Sequence, residues 1–425
     1  MTQNEIHLSA AVWCMEWSPI TPDHENSYLL VGCWDQTFYY FDSEGERRER
    51  FSERHIPCNP LSVNFHHSGE YFLMTGTDKK ISLYSRDLGH LTDLTTMNDW
   101  SWSTKFRPKS QDLAITTNSG LISVQELAKK NIFSCYRELY ARRHNFTDLV
   151  VENIAMNQKL TVKCKELVKK ISIFKDKLAV LQNERLLIYV AAEEGLKYSP
   201  YRKITKRFDC DSMEILNSHV LFAKDNKIQV YNFLGELERE WIMDAKVTYL
   251  RTIGGPPKRE HALVGLTNGQ VMKLFVDNSF PIQLYRTTVA VVKCEINVSK
   301  KKLAILDLNK NLIGFDLITQ AQLFQEVNVS SFAWNSDLED SIAFSSGGTI
   351  SIKTGNLPAL TQKSEASIIG FEGFQLFVNK SDSISVMDIS QSSTLVKYVE
   401  KKEFAMAYKL ACLGVPDSDL RFLGF

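Results

Sequence analysis

A short apolar strand signal recurs nine times along this chain, and the spacing of those signals limits what it can fold into. The candidate strands close at Phe41, Tyr84, Gln125, Tyr189, Tyr231, Phe275, Phe315, Lys353 and Met387. Successive spacings are 43, 41, 64, 42, 44, 40, 38 and 34 residues. All but the third lie within or slightly below the roughly 40–45 residues of a four-stranded propeller blade. A second apolar segment precedes all but the last of these ends, among them YFLMTG from Tyr71, ALVGL from Ala262 and LAILD from Leu303. These segments are short and nearly continuously apolar, as strands buried on both faces should be. A β-sandwich would carry strand signals without this longer period. The expected fold is all-β, made of WD40-type β-propeller blades.

The long spacing marks a boundary. Its extra residues fall in Cys135 to Cys164, which holds the charged stretch YRELYARRHNF and two further strand signals, DLVVEN and LTVKC. Three units precede it and six follow. A ring needs about four to eight blades, so the first three units are expected to be the C-terminal blades of an incomplete first propeller. The later ones are expected to close a second propeller of six or seven blades. The organisation is then 1–134 for the first propeller, 135–395 for the second and 396–425 for a helical region. The segment LVKYVEKKEFAMAYKLACLGV reads as one helix, with Phe404, Tyr408 and Cys412 four residues apart and Gly414 and Pro416 as its stop. It is expected to begin an α-helical solenoid with more helices to follow, in a chain truncated at both ends. In the incomplete propeller, the faces around Trp17, Phe65 and Phe106 are expected to lose packing neighbours.

Composition narrows the function. Lys+Arg and Asp+Glu both number 50 in 425 residues, so no basic surplus points to nucleic acid. The start, MTQNEIHLSAAVWC, has neither a basic nor an apolar leader region, and no run approaches the roughly 18 apolar residues of a membrane span. Cysteines 14, 33, 58, 135, 164, 210, 294 and 412 stand singly with no CxxC pair and read as small buried hydrophobes. Glycine-rich phosphate loops and a G-x-S-x-G elbow are absent. Gly254-Gly255-Pro256-Pro257 and Ser346-Gly347-Gly348 read as blade turns, and His66-His67 as a turn without a third metal ligand. Trp34-Asp35, Phe41-Asp42, Phe315-Asp316 and Met387-Asp388 read as turn-setting pairs. Lys169-Lys170 and Lys300-Lys301-Lys302 read as solvated turns or strand edges. Catalytic, cofactor-binding and metal residues are therefore none, and no single partner-interface residue is assigned. A propeller enzyme would need acids or histidines converging at inner-strand starts in several blades, and the sequence displays no such pattern.

Three longer segments go further: KCKELVKKISIFKDKLAV from Lys163, RTIGGPPKREHALVGLTNGQVMKLFVDNSFPI from Arg251 and KYVEKKEFAMAYKLACLGV from Lys397. With GCWDQ near the start and LFQEVNVSSFAWN from Leu323, they closely resemble the intraflagellar transport protein 122 family. These are the WD-repeat, tetratricopeptide-like subunits of ciliary transport complex A, and the resemblance runs over nearly the whole chain. It implies two propellers leading into a TPR-like solenoid, and a non-catalytic scaffold without cofactor. It also implies retrograde ciliary transport, cilium assembly and bringing membrane receptors into the cilium. The partners implied are other complex A subunits, with ciliary cargo adaptors and receptors. The location implied is the cilium, at axoneme and basal body, with cytoplasm and cytoskeleton. The alternatives are a propeller–solenoid coat subunit of vesicle traffic and a propeller enzyme with a channel site.

Overall fold

The computed structural model describes residues 5–22, 24–47, 54–127, 131–192, 195–256, 259–355, 357–380, 383–389 and 392–412. Among these, the chain forms ten antiparallel sheets in which strands pair only with their sequence neighbours. The third and tenth sheets have three strands and the others four. All nine strands expected from the spacing are present, from Thr37–Phe41 to Ser383–Asp388, each the third strand of its sheet. The 64-residue interval is not a spacer with loose strands. It contains a whole fourth sheet, Phe133–Tyr136, Leu139–Arg143, Asp148–Asn153 and Gln158–Lys163. Its second strand, LYARR, is hidden in a charged stretch because Arg142 is held by Glu152 at 3.5 Å within the sheet.

The chain divides into two compact units. The first comprises Met1–Asn131 with Arg143–Leu149 and Lys163–Val168. Phe38, Tyr40, Phe65, Phe72, Met74 and Tyr84 fill the space between its first two sheets. Leu73, Ile81, Leu83, Leu113 and Ile115 fill the space between the second and third, together with Phe146 and Leu167. The expectation that Phe65 and Phe106 lose their neighbours is therefore overturned: Phe65 is buried in the first of these clusters, and Phe106 packs against the second. Trp17 is exposed, as expected, and the third sheet leaves Leu121, Ile122 and Val124 at 52, 70 and 72% exposure. The open apolar surface thus lies at two places, the first sheet's inner strand Val12–Trp17 and the third sheet's last strand Ile122–Glu126, while the inner strand of the second sheet is covered from within the unit.

The second unit is Ile132–Arg142, Val150–Val162 and Lys169–Phe425. Apolar layers separate its consecutive sheets, for example Phe174, Leu186, Phe208, Phe222 and Tyr231 between the fifth and sixth. Tight turns suit this stacking: Gly347 and Gly348, at φ 55 and 80, form the two-residue hairpin between Ser341–Ser346 and Thr349–Thr354. Polar ties add to the layers. His219, 7% exposed, joins Glu238 at 2.9 Å and Glu260 at 3.5 Å, and Glu260 also accepts the Asn217 N–H at 2.6 Å. Burial works against the imidazolium, but the hydrogen bonds and charges of Glu260 and Glu238 outweigh it and raise the His219 pKa above 6.5. A raised folded-state pKa gives stability that is full below the unfolded value and lost as pH rises through the folded value. Thermal unfolding of this unit should therefore show a stabilisation at pH 6 relative to pH 8 that His219→Gln removes. An unchanged pH profile in the variant would refute it.

The segment read as one helix is two, α1 (Ser392–Glu400) and α2 (Phe404–Cys412). Lys402 takes φ 62 between them, and the Glu403 N–H turns back to the Tyr398 carbonyl at 2.9 Å. The aromatic stripe also faces the other way: Phe404 and Tyr408 are exposed, while Ala407 and Leu410 pack with Leu395, Tyr398, Leu338 and Leu357. Small residues face the sheets because they allow close approach. The helices thus use the ninth sheet's loops as their support. Gly414 and Pro416 lie outside the described residues.

Candidate functional site

Each inner strand of the second unit begins a sheet, and its side chains meet the backbone of the next inner strand roughly one blade further on. Ser134 Oγ accepts the Ile173 N–H at 3.0 Å, and Ser172 Oγ accepts that of Ile215 at 2.9 Å. Lys293 Nζ donates to the Phe332 carbonyl at 2.6 Å, Glu295 accepts the Trp334 N–H at 3.3 Å, and Ser331 accepts that of Ile368 at 2.7 Å. Arg251 donates to the carbonyl of Cys135. A Cβ on Gly370 in the last sheet would lie 3.9 Å from Cys135 Sγ in the first sheet of this unit. The chain thus returns on itself around a central channel.

Three acids, Glu214, Glu295 and Glu372, come from three inner strands, each in the later part of its strand and not at the start that the sequence reading asked for. They escape a pattern search because they take different positions within those strands. Burial pushes the Glu214 carboxyl up, opposed by the Arg251 charge and the Ser172 hydroxyl. Burial likewise raises Glu372, helped by the nearby Asp337 and Glu138 charges and opposed by Arg137. Lys293 holds Glu295 at 2.9 Å. Beside them a cavity of about 130 Å³ is lined by Arg137, Arg251, Glu295, Trp334 and Glu372. At about 30 Å³ of liquid volume per water, it holds only a few waters, well short of the roughly 300–1,000 Å³ of a small-molecule pocket. The channel groups mostly bond one sheet to the next.

The residues singled out in the sequence keep local roles. His66 is buried, its ring stacked on Tyr71 and bonded to Ser68, and burial lowers its pKa to about 4. Asp42 accepts the Glu44 and Glu46 N–H groups, and Asp316 those of Ile318 and Thr319. Asp35 accepts the hydroxyls of Tyr39 at 2.8 Å and Ser9 at 3.1 Å. Asn297 accepts the Lys301 and Lys302 N–H groups, and Lys302 pairs with Asp340 at 2.6 Å. The cysteines are free thiols, five of them buried. Among the described residues no cluster of three or more His, Cys, Asp or Glu could hold a metal, and no helix is long and apolar enough to cross a membrane.

The repeated four-stranded meanders around a channel define a non-barrel all-β architecture, the β-propeller. Residues 133–384 match the family model described as the IFT122 second beta-propeller, and the chain belongs to that family. It is similar to the intraflagellar transport protein 122 homologs of Xenopus tropicalis and Mus musculus, each 35% identical over 97% of this chain and 35% of the relative. The Homo sapiens homolog is 36% identical over 94% of this chain and 32% of the relative. The chain therefore spans about a third of the length of the curated relatives it matches.

Proposed function

We propose that this chain acts as a non-catalytic scaffold within intraflagellar transport complex A. In that role it supports retrograde ciliary transport, cilium assembly and the bringing of membrane receptors into the cilium. Its direct partners are other complex A subunits, with cargo adaptors and receptors beyond them, at the axoneme, the basal body and in the cytoplasm. Its functional parts are 1–134, 135–395 and 396–425. Family membership supports the reading, and one observation carries its non-catalytic part: the channel's polar groups are largely used in sheet-to-sheet bonds around a cavity of about 130 Å³. That leaves the rigid outer faces and loops for protein contacts. Affinity purification of the tagged chain from ciliated cells, with identification of the co-purifying proteins, tests it. Complex A subunits should co-purify. Recovery of vesicle-coat subunits in their place would favour the coat alternative, and saturable nucleotide binding would contradict the non-catalytic reading.

A further inference from the structure

Four indoles gather at one end of the first unit. Trp13 lies near the start of Val12–Trp17, Trp34 in the turn after Leu29–Cys33, and Trp100 and Trp102 at the start of Ser101–Phe106. Loop bonds place them at the same end of the sheets: the Trp34 N–H donates to the Ala11 carbonyl at 3.0 Å, and Trp102 Nε1 to Asn118 Oδ1 at 3.1 Å. Ring centroids are 4.7 Å apart for Trp13–Trp34, 6.3 Å for Trp13–Trp102 and 6.0 Å for Trp100–Trp102. The four are nevertheless 46, 41, 39 and 39% exposed, in the order Trp13, Trp34, Trp100, Trp102. Tryptophan is among the residues that dominate binding energy at protein interfaces, and clustered exposed apolar surface marks interaction sites.

The charges around the indoles select the partner. Asp35 follows Trp34, and Asp99 precedes Trp100 and accepts its N–H at 2.8 Å. Asp78 stands in the corresponding turn of the second sheet and accepts the Lys80 N–H at 3.2 Å, while the Lys79 ammonium donates to the neutral Asn98 carbonyl at 3.1 Å and leaves one positive charge among these carboxylates. Aromatic faces with flanking carboxylates attract cations. They disfavour nucleic acid, anionic lipid and a second copy of the same acidic face.

We propose that this face of the first unit docks a basic segment of a partner protein, whose arginine or lysine side chains lie over the indoles and pair with Asp99. It deepens the scaffold reading by naming one contact surface, and rests on that reading only for where the partner is found. The test uses the full chain and a fluorescein-labelled peptide of alternating arginine and glycine, with a glutamate–glycine peptide as control, followed by fluorescence anisotropy. The basic peptide should bind and the acidic one should not. Trp34→Ala combined with Trp102→Ala should weaken binding about tenfold. Asp99→Asn, which keeps the oxygen that caps Trp100, should weaken it about threefold and remains informative if the tryptophan variants fold poorly. Unchanged affinity in both sets of variants, or binding of the acidic peptide, would overturn the proposal. So would concentration-dependent dimerisation that the tryptophan changes abolish, which would assign the face to a second copy. Failure here leaves co-purification with complex A untouched, so the two readings fail separately.

Discussion

Phe332→Ala should lower the stability of the second unit by about 3–5 kcal/mol, the range for removing a fully buried phenylalanine. Phe332 is 0% exposed and lies between the eighth and ninth sheets with Leu306, Leu312, Ile342 and Phe344. Lys293 Nζ stands 4.8 Å from its ring centroid while bonding its carbonyl, so the site is closed on the channel side as well. The blade interface cannot collapse into the space without shifting two four-stranded sheets. At about 2–4 °C per kcal/mol for a unit of this size, the melting temperature should fall by roughly 10 °C. Phe332→Leu, closer in volume, should cost much less. A loss below about 1 kcal/mol for the alanine variant, within the range of tolerated swaps, would contradict the close packing of these sheets.

Arg251→Met should be the most damaging change to a polar group of the channel, at about 2–3 kcal/mol near neutral pH, somewhat below the cost of breaking a fully buried pair because Arg251 is only partly buried. Burial itself disfavours the guanidinium, but the carboxylates of Glu214 and Glu295 offset it. Without it, Glu214 loses the largest influence opposing its desolvation, so its raised pKa climbs further from the ordinary 4.5. A carboxyl with a raised folded-state pKa gives stability that is present below its unfolded value and lost as pH rises through the folded one. The deficit of Arg251→Met should therefore shrink as pH falls towards 4.5. Adding Glu214→Gln should recover part of it at pH 7.5. Chemical denaturation at both pH values measures this, and a deficit independent of pH would show that Glu214 is not the group left uncompensated.

The second strands were legible because burial on both faces writes them as apolar runs, and turns such as Gly347-Gly348 separate them from the third. The fourth sheet was harder. Leu139–Arg143 contains two arginines, and its signal resembles a linker until Glu152 is brought alongside. The channel was illegible for a different reason. Its sheet-to-sheet bonds come from Ser134, Ser172, Glu214, Lys293, Glu295 and Ser331, a mixture of serine, glutamate and lysine with no single residue type to search for. Hydrogen-bond partners 37–43 residues apart reveal the blade period only once the strands are in place. In the helices, the four-residue spacing of Phe404 and Tyr408 was real but marked the outward face, since the sheet loops accept Ala407 and Leu410 more closely. The indole cluster had a faint signal in Trp100-Ser101-Trp102, but only the fold brings Trp13 and Trp34 to it.

Closure of the second unit is tested most directly by a covalent link across its ends. Cys135 lies in its first sheet and Gly370 in its last, and a Cβ at position 370 would sit 3.9 Å from the Cys135 sulfur. That is within reach of a disulfide with small backbone adjustment. The Gly370→Cys protein, oxidised under native conditions and digested for mass spectrometry, should yield the peptide containing Cys135 joined to the peptide carrying the substitution, and reduction should release the two. A folded, oxidised Gly370→Cys protein with no such pair would show that the seven sheets do not return on themselves as a ring.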